Sequence, residues 1–347
     1  DSDFSNTDSS FQYLLGFQPS LWAMILREWE LIVLLDARYF GKIEKIDIRH
    51  IKNILNRPEL SVKYVLATDI MDDVVPELSN YEEISIEDNI AVKYYNSILA
   101  AFPDSKISFS EWYFMSKKIV KSEDEKSNIK KAITIIDEVF LHIQELATSW
   151  KIIWMTELSV RQLIIAKIFE LWGEGESFDS IVAFWAHSAI PHHVSWDTII
   201  EDGVLLVDMG AKYQGYCSDF TRTIWVWKKN DQFHLFKKVH KIVARAHNEA
   251  VMRYTPEMTG WDLDTIARNV IQDSEYKDLF IHSLWHWLWL DIHEQPRLKS
   301  WDATLLEDWM IFTIEPWIYI QDEFGIRLED IVFLENKKLV KYTQINL

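Results

Sequence analysis

Two short apolar runs in the second half of the chain, each carrying an aspartate, constrain its fold more than any other feature. Asp208 lies in the run 205–210 and Asp219 in the run 216–223, and Gly215 stands in the turn between them. Adjacent strand-like runs joined by a glycine turn predict a β-hairpin. Because a hairpin can bring both aspartates to one face, the sequence predicts a paired-carboxylate site on a sheet.

Three further metal-binding residue types follow, His286, Glu315 and Glu329, each inside an apolar stretch that can hold it still. Two divalent ions about 3.5–4 Å apart require several carboxylates, an imidazole and a shared water. One such carboxylate alone is more often a solvated or capping group, but five ligands in context outweigh that interpretation. Oxygen-rich ligation with one nitrogen favours Mn²⁺, with Co²⁺ or Zn²⁺ as alternatives. The set predicts a two-metal hydrolase.

Four segments around these residues resemble the pita-bread metallopeptidases, specifically the proline-specific branch of Xaa-Pro dipeptidases and Xaa-Pro aminopeptidases. The segments are 208–223, 282–296, 312–316 and 326–330. The resemblance covers nearly the whole chain. It implies an α+β fold in which a pita-bread catalytic domain, 117–347, follows a smaller α/β domain, 1–116.

The resemblance also implies roles for the metal ligands. Asp208 would bind one ion, while Asp219 and Glu329 would bridge both. His286 and Glu315 would complete the second site. Glu315 would in addition carry a proton from the bridging water, or hydroxide, to the departing amine, work that suits a carboxylate with a raised pKa.

Four other residues are implied to act on the substrate or on the ligands. His192 matches the histidine that contacts the substrate near the scissile bond, and His293 the one that steadies the tetrahedral intermediate. His282 would line the proline pocket. Arg327 would contribute to substrate binding and resembles the arginine that orients the carboxylates. His193 is expected to be a packing residue or to support a site residue from behind.

The predicted activity is hydrolysis of the peptide bond before proline in short peptides. The sequence leaves open whether the enzyme is a dipeptidase or an aminopeptidase. Two alternatives stay open as well, a creatinase-like hydrolase that needs no metal and a non-catalytic peptide- or protein-binding member of the fold. Retention of all five ligands argues against the creatinase-like hydrolase.

Charge and cysteine content limit the partners. The net charge is −18, and there is no Lys/Arg stripe to neutralise phosphates, so nucleic acid is not expected as a partner. No apolar run approaches a membrane span. A single cysteine, Cys217, excludes an intrachain disulfide and fits a cytoplasmic protein. The resemblance implies a homodimer.

Local patterns predict the main elements. In the N-terminal part, the runs 11–17 and 31–40 are typical of strands and turns, and 62–67 of a strand. Ser122 and the acidic turn after it predict a helix to about residue 148, and Thr156-Glu157 predicts the start of another. Two more helices are expected around 233–252 and 262–271.

Tryptophan stands at many positions where the resembled family has glycine. The clearest are the residues around His286 and the residue two after Glu315, and the full set is Trp22, Trp29, Trp154, Trp185, Trp285, Trp287, Trp289, Trp309 and Trp317, of which Trp287 is the least diagnostic. Glycine allows a positive φ or a close backbone approach, which an indole cannot supply.

The totals point the same way. A chain of this length would carry about 24 glycines at average usage, whereas this one has 9, and its 17 tryptophans bring the two together to 26. The hypothesis that follows is that many of these tryptophans are glycines in the living protein, read from a UGA codon assigned to glycine. The alternative is a tryptophan-rich protein with an aromatic-packed site. For a protein made literally as written, weak or absent activity is expected.

Overall fold

The computed structural model describes most of the chain, in two compact units, 1–119 and 120–347. The described residues are 2–5, 8–17, 19, 22–87, 90–110, 121–280, 283–288, 290–292 and 305–347. The expected domain boundary at residue 116 lies outside these ranges.

The first unit is built on a six-stranded mixed sheet. Its strands are β1 (Ser2–Ser5), β2 (Trp22–Leu26), β3 (Glu30–Leu35), β4 (Ser61–Leu66), β5 (Glu83–Glu87) and β6 (Lys106–Ser110), in the order β4-β3-β2-β1-β5-β6. Its helices are α1 (Asp8–Leu15), α2 (Ile48–Leu55), α3 (Ile70–Leu78) and α4 (Val92–Ala101). Apolar residues of β2, β3 and β5 pack against α3 and α4 to form its core.

The strand predicted within 11–17 is wrong, because most of that run belongs to helix α1. Phe11, Leu14 and Leu15 are buried and follow helical spacing. A short apolar run fits either period, so its alternation alone did not distinguish helix from strand. The other two runs behave largely as predicted: β3 ends at Leu35 before a turn and a 3-10 helix (Phe40–Lys45), and β4 covers most of 62–67.

Four long helices of the second unit confirm the helix predictions. They are α5 (Glu123–Thr148), α6 (Glu157–Glu170), α7 (Asp231–Met252) and α8 (Gly260–Gln272). Ser122 caps α5 in a reciprocal hydrogen-bond pair with Glu125, and Thr156 caps α6 with Ser159. Both caps satisfy backbone N–H groups that a helix start leaves without partners. None of the helices in the described ranges is both long and apolar enough to cross a membrane.

The strands of the second unit form small antiparallel sheets. They are β7 (Gly175–Glu176), β8 (Ile181–Phe184), β9 (Gly203–Met209), β10 (Ala211–Tyr213), β11 (Tyr216–Cys217), β12 (Phe220–Val226), β13 (Ile311–Ile314), β14 (Trp317–Ile320), β15 (Phe324–Arg327), β16 (Asp330–Glu335) and β17 (Lys338–Lys341). The sheet orders are β12-β9-β8, β11-β10-β7, β13-β16-β17 and β14-β15.

The predicted hairpin is confirmed. Strands β9 and β12 pair from Met209–Phe220 to Gly203–Val226, and they are connected by the smaller hairpin of β10 and β11, whose turn contains Gly215 at a φ of +79°. The buried side of this pair packs against α5 and α6 through residues such as Phe140, Ile164 and Val207. The helices therefore support the sheet that carries the two aspartates.

Among the described residues, six tryptophans adopt a left-handed backbone conformation, with φ between +53° and +80°. They are Trp150, Trp154, Trp172, Trp185, Trp227 and Trp309. A bulky side chain at positive φ is a steric outlier, whereas glycine adopts that region freely. Three of the six, Trp154, Trp185 and Trp309, were singled out from the sequence. The other three were not, and Trp29, which was, does not share the conformation.

Candidate metal centre

The described ligands lie at the ends of paired strands, which fixes their backbone. Asp208 is in β9, and Asp219 immediately precedes β12. Glu315 follows β13, and Glu329 lies between β15 and β16. In the register of the hairpin, Asp208 is opposite Thr221, and the backbone N–H of Glu329 donates to Thr221 O at 3.0 Å. Three separate chain segments are thereby joined side by side.

His286 reaches the same place through contacts of its own segment. Its backbone N–H donates to Thr313 Oγ1 at 3.2 Å, and its carbonyl accepts from Thr313 N at 3.0 Å. Glu315 N donates to Leu284 O at 2.9 Å. These bonds tie the histidine segment to β13 and its end.

The five predicted metal ligands converge on one cavity of about 470 Å³, whose wall also includes His192 and Arg327. From His286 Nε2, Asp219 Oδ2 is 3.3 Å away, and Glu315 Oε1 and Glu329 Oε1 are each 3.8 Å away. One nitrogen thus faces three carboxylates. The fourth carboxylate, that of Asp208, lines the same cavity.

Burial and mutual repulsion raise the pKa of most of these acids. Burial raises the pKa of Asp208 to about 6, although Arg327 opposes it. Burial and the charge of Glu329 also hold the pKa values of Asp219 and Glu315 well above their usual range. Buried carboxylates that repel one another are stabilised when they bind protons or when a cation lies between them.

The pKa values of Glu329 and His286 shift in the direction that favours the charged form of each side chain. Burial alone would raise the pKa of Glu329, but its attraction to His286 outweighs this and lowers it. For His286, attraction to the neighbouring carboxylates of Asp219, Glu329 and Glu315 outweighs burial and holds the pKa well above its ordinary value. The centre therefore contains more acidic groups than basic ones, so its negative charges are not fully balanced by positive side chains.

Three carboxylate oxygens fit the requirement for metal ions. Asp208 Oδ1, Asp219 Oδ1 and Glu329 Oε1 are buried and have no hydrogen-bond partner among the described residues. A buried charged oxygen without a partner is costly, so native structures supply a donor, water or ion there. Oxygen donors with one imidazole suit divalent cations such as Mn²⁺, Co²⁺ or Zn²⁺.

Arg327 and Thr221 hold the ligands from behind. Arg327 Nη2 forms a very short ion pair with Asp208 Oδ2, and its Nη1 donates to the hydroxyl of Tyr319 at 2.7 Å. Thr221 Oγ1 donates to Glu329 Oε2 at 2.7 Å. The sequence assigned Arg327 to this region but gave no signal for Thr221 or Tyr319, since hydroxyl residues in strands are common.

A buried ion-pair network fixes the backbone that carries Glu329. Arg222 Nη1 donates to Glu329 O at 2.7 Å, and its Nη2 donates to Asp330 Oδ1 at 2.5 Å. Lys341 Nζ donates to the other oxygen of Asp330 at 2.8 Å. Removing one partner of such a buried pair leaves the other charge uncompensated, which costs about 3–5 kcal/mol.

The predicted substrate residues fall into three groups. His192 is exposed at the cavity wall, together with Pro191 and Val194. His193 is buried against Glu157 and also forms part of the cavity wall. His282 and His293 lie outside the described residues.

A second cluster, which the sequence did not reveal, lies where His193 is buried. Glu157 Oε2 is 2.8 Å from His193 Nε2, and Glu157 Oε1 is 2.9 Å from His187 Nδ1. Glu157 is fully buried. An acidic residue in the first turn of a helix is ordinary, because it is favoured by the helix dipole, so nothing in the sequence marked it.

The indole of Trp285 also lines the metal cavity. Its Nε1 donates to Gly260 O at 3.0 Å, and a Cβ added to Gly260 would lie 1.5 Å from the Trp285 ring. Neighbouring Trp287 is buried, and its indole N–H has no acceptor in the described part of the chain. The indoles of Trp285 and Trp287 near His286 are therefore packed tightly against neighbouring residues in the interior.

Comparison with known proteins places this geometry in context. Residues 127–336 match the model of metallopeptidase family M24. An Xaa-Pro dipeptidase from Pyrococcus furiosus is 36% identical over 279 residues, which cover 78% of this chain and 77% of that protein.

Solved structures give the same result for the fold. The prolidase from Pyrococcus furiosus superposes with a TM-score of 0.86 at 29% identity, covering 100% of this chain and 97% of that one. An X-Pro aminopeptidase from Thermotoga maritima gives 0.83 at 29% identity, covering 99% and 96%. The α+β pita-bread fold with a smaller α/β domain before it is thus confirmed, and the chain belongs to metallopeptidase family M24.

Proposed function

We propose that this metallopeptidase hydrolyses the peptide bond before proline in short peptides. The observation that supports it most is the convergence of five metal ligands, with three buried oxygens lacking partners, on one cavity. Relatives named as Xaa-Pro dipeptidases supply the substrate class. Proline lacks an amide N–H and has a fixed φ, so a site shaped for its ring can select it.

In this proposal the ligands hold two divalent cations, with Mn²⁺ favoured by the carboxylate majority. Asp208 would hold one of them, Asp219 and Glu329 would be shared by both, and His286 and Glu315 would complete the second site. When bound, the two cations would supply a water of lowered pKa, the bridging hydroxide of the proposal, and would polarise the scissile carbonyl.

Glu315 moves the proton. Its raised pKa suits a group that accepts a proton from the attacking water and then donates it to the departing proline nitrogen. The products are a free carboxylate and a protonated secondary amine, which together account for the one water consumed, and Glu315 returns to its starting state.

The remaining residues hold the substrate. His192, exposed on the cavity wall, contacts it near the scissile bond. His293 steadies the tetrahedral intermediate, and His282 lines the proline pocket. Arg327 holds Asp208 and supports substrate binding from its place in the same wall.

We extend the proposal to the protein's setting and its two domains. Residues 1–116 form the prolidase-like N-terminal domain and 117–347 the catalytic domain. The protein acts as a homodimer in the cytoplasm, in line with its single cysteine.

Chromatographic detection of products from Ala-Pro and Ala-Pro-Ala, with Mn²⁺ present, tests the activity. The full chain as written is compared with a variant carrying Trp285→Gly, Trp289→Gly and Trp317→Gly. Glu315→Ala should abolish cleavage, and Glu323→Ala, which removes an exposed glutamate of the same unit, should not. Cleavage of the dipeptide alone indicates a dipeptidase, and release of alanine from the tripeptide indicates an aminopeptidase.

Failure of both folded protein forms to cleave either peptide in the presence of Mn²⁺ would refute the proposal. Metal analysis then separates the alternatives. Close to two ions per chain would leave a metallopeptidase of another specificity, whereas few or none would favour a creatinase-like hydrolase or a binding protein.

A further inference from the structure

Glu157 accepts four hydrogen bonds from a single chain segment. Its Oε1 accepts from Phe184 N at 2.7 Å and from His187 Nδ1 at 2.9 Å. Its Oε2 accepts from His193 Nε2 at 2.8 Å and from Trp196 N at 3.1 Å. Because a carboxylate can only accept, both imidazoles must present an N–H to it. All its acceptor positions are used.

The four donors span the start, middle and end of residues 184–196, which we call the histidine loop. His192, within this loop, is exposed on the wall of the metal cavity, while its neighbour His193 is buried against Glu157. Glu157 itself lies outside the cavity, at the first residue of α6. Glu157 thus contacts His193, and the residue next to His193 in the chain, His192, is the one that faces the substrate.

The opposite side of the histidine loop is fixed to the metal-binding region. Gly325 N donates to Ser188 Oγ at 2.8 Å, and Arg327 Nη1 donates to Pro191 O at 3.4 Å. Arg327 also holds Asp208. The loop is therefore tied on one side to the ligand support and on the other to Glu157.

A cation between Glu157, His187 and His193 is the competing interpretation, since their ligand atoms are close enough to hold one. However, the separations of 2.8 and 2.9 Å are those of direct hydrogen bonds. Both carboxylate oxygens also accept backbone N–H groups. The arrangement is complete as a hydrogen-bonded clamp.

We propose that Glu157 is a positioning residue that holds His192 in place for the substrate by clamping the histidine loop. The proposal rests on the proposed function for the role of His192. It assigns a purpose to a fully buried carboxylate that touches neither the cavity nor the metal ligands.

The central test is a double-mutant cycle of Glu157→Gln and His192→Ala, measured on Ala-Pro in the more active of the two protein forms described above. An amide places an N–H₂ where two donors point, so the clamp loses half of its acceptors. Displacing a substrate contact by about 1 Å can cost about a hundredfold in rate. We expect Glu157→Gln to lower kcat by that order, but by less than about threefold once His192 is already alanine.

Two further variants provide a conservative rescue. His193→Phe removes the N–H that Glu157 accepts, whereas His193→Gln keeps an amide N–H in a similar place. We expect His193→Phe to resemble Glu157→Gln and His193→Gln to recover most of the lost kcat. This pair gives the same test if Glu157→Gln does not fold. Glu170→Gln, which removes an exposed carboxylate at the far end of α6, is the matched control and should change nothing.

Equal losses from Glu157→Gln with and without His192 would overturn the proposal, as would wild-type kinetics in a folded Glu157→Gln protein. Hydrogen exchange gives a readout independent of activity. Glu157→Gln should speed exchange in residues 184–196 by at least about tenfold, while Glu170→Gln should not. If neither peptide is cleaved by the chain as written or by its triple Trp→Gly variant, the proposed function fails, and unchanged exchange would separately reject the clamp.

Discussion

The hydroxyl of Thr221 donates a 2.7 Å hydrogen bond to Glu329 Oε2 and accepts one of 3.2 Å from Arg327 Nε. Thr221 is fully buried, and its backbone carbonyl also accepts from Glu329 N at 3.0 Å. One threonine therefore holds both the side chain and the main chain of the proposed bridging glutamate. Its orientation is fixed because its hydroxyl is engaged as donor and acceptor at once.

Thr221→Val should weaken metal binding without unfolding the protein. Valine has nearly the same shape but leaves Glu329 Oε2 without its donor. Loss of a contact that orients a ligand lowers metal affinity by about 10–100-fold, which titration calorimetry with Mn²⁺ measures. Thr134→Val, on the exposed side of α5, is the control. Unchanged affinity in Thr221→Val would contradict this role.

Metal should stabilise the protein more at neutral than at acid pH. The pKa of Asp208 is raised to about 6, and those of Asp219 and Glu315 rise in the same direction. Acids of this kind stabilise the metal-free fold at low pH and lose that effect as pH rises from about 3.9, the unfolded value, through the folded value. Glu329, whose pKa is lowered, acts in the opposite sense but is one group against three.

Cations bind the deprotonated carboxylates and relieve their repulsion. Differential scanning fluorimetry should therefore show a larger Mn²⁺-induced rise in Tm at about pH 7.5 than at about pH 5.5. Asp219→Asn should reduce the rise at both values. An equal or larger rise at the lower pH would be inconsistent with the cluster as described.

Trp172→Gly should stabilise the protein. Trp172 is 85% exposed and has a φ of +68°, so its replacement loses little packing and removes backbone strain. That strain costs about 1–2 kcal/mol, part of which is offset by the freedom of glycine in the unfolded chain. We expect a net gain of about 0.5–1 kcal/mol in the free energy of unfolding, measured by urea denaturation.

The matched control for this measurement is Trp261→Gly. Trp261 is the second residue of α8 and is 41% exposed, without a positive φ. Glycine there should destabilise by about 0.5 kcal/mol, because glycine has a lower helix propensity than tryptophan. The two substitutions should thus have opposite signs, and destabilisation by both would argue against strain at Trp172.

The chain as written should be less active than the variant with Trp285→Gly, Trp289→Gly and Trp317→Gly. Trp285 is buried in the cavity wall, and Trp317 is buried two residues after Glu315. Over-packed side chains cost on the order of 1–3 kcal/mol where the core must yield, and small displacements of ligands reduce kcat strongly. Steady-state kinetics on Ala-Pro compares the two, and equal kcat values would show that the indoles are accommodated.

Mass spectrometry of the natively expressed protein tests the codon hypothesis directly. The peptide from Ser283 to Pro296 covers positions 285 and 289. Peptides over positions 154, 172 and 309 cover three tryptophans with a positive φ. We expect glycine masses at these positions. Indole masses at 285 and 289 would reject the hypothesis.

How far the sequence predicts the molecule depends on the range over which each signal acts. The helix over 123–148 was predictable because its cap, acidic first turn and apolar spacing are all local. The predicted metal ligands were recognisable because each lies in a short motif, and the turn at Gly215 lies between Asp208 and Asp219. Helix α1 was predicted as a strand because a run of a few apolar residues carries too little periodicity.

The clamp and half of the tryptophans with positive φ escaped prediction for a different reason. The donors to Glu157 lie 27 to 39 residues away along the chain, and only the fold brings them to it. For Trp150, Trp172 and Trp227, the sign of φ is set by the surrounding backbone and is not encoded in the residue's own type. No motif of the family singled these positions out.

The continuous β9–β12 ladder, from Met209–Phe220 to Gly203–Val226, is formed by backbone hydrogen bonds and does not depend on any cation. Small metal-dependent domains lose their fold when a chelator strips them, because the ion is their core. Here the sheet would keep Asp208 opposite Thr221 after stripping. If the ligands hold cations as proposed, we expect the enzyme to be emptied and refilled with a different ion without refolding, which would leave the choice of metal to the supply available around the folded protein.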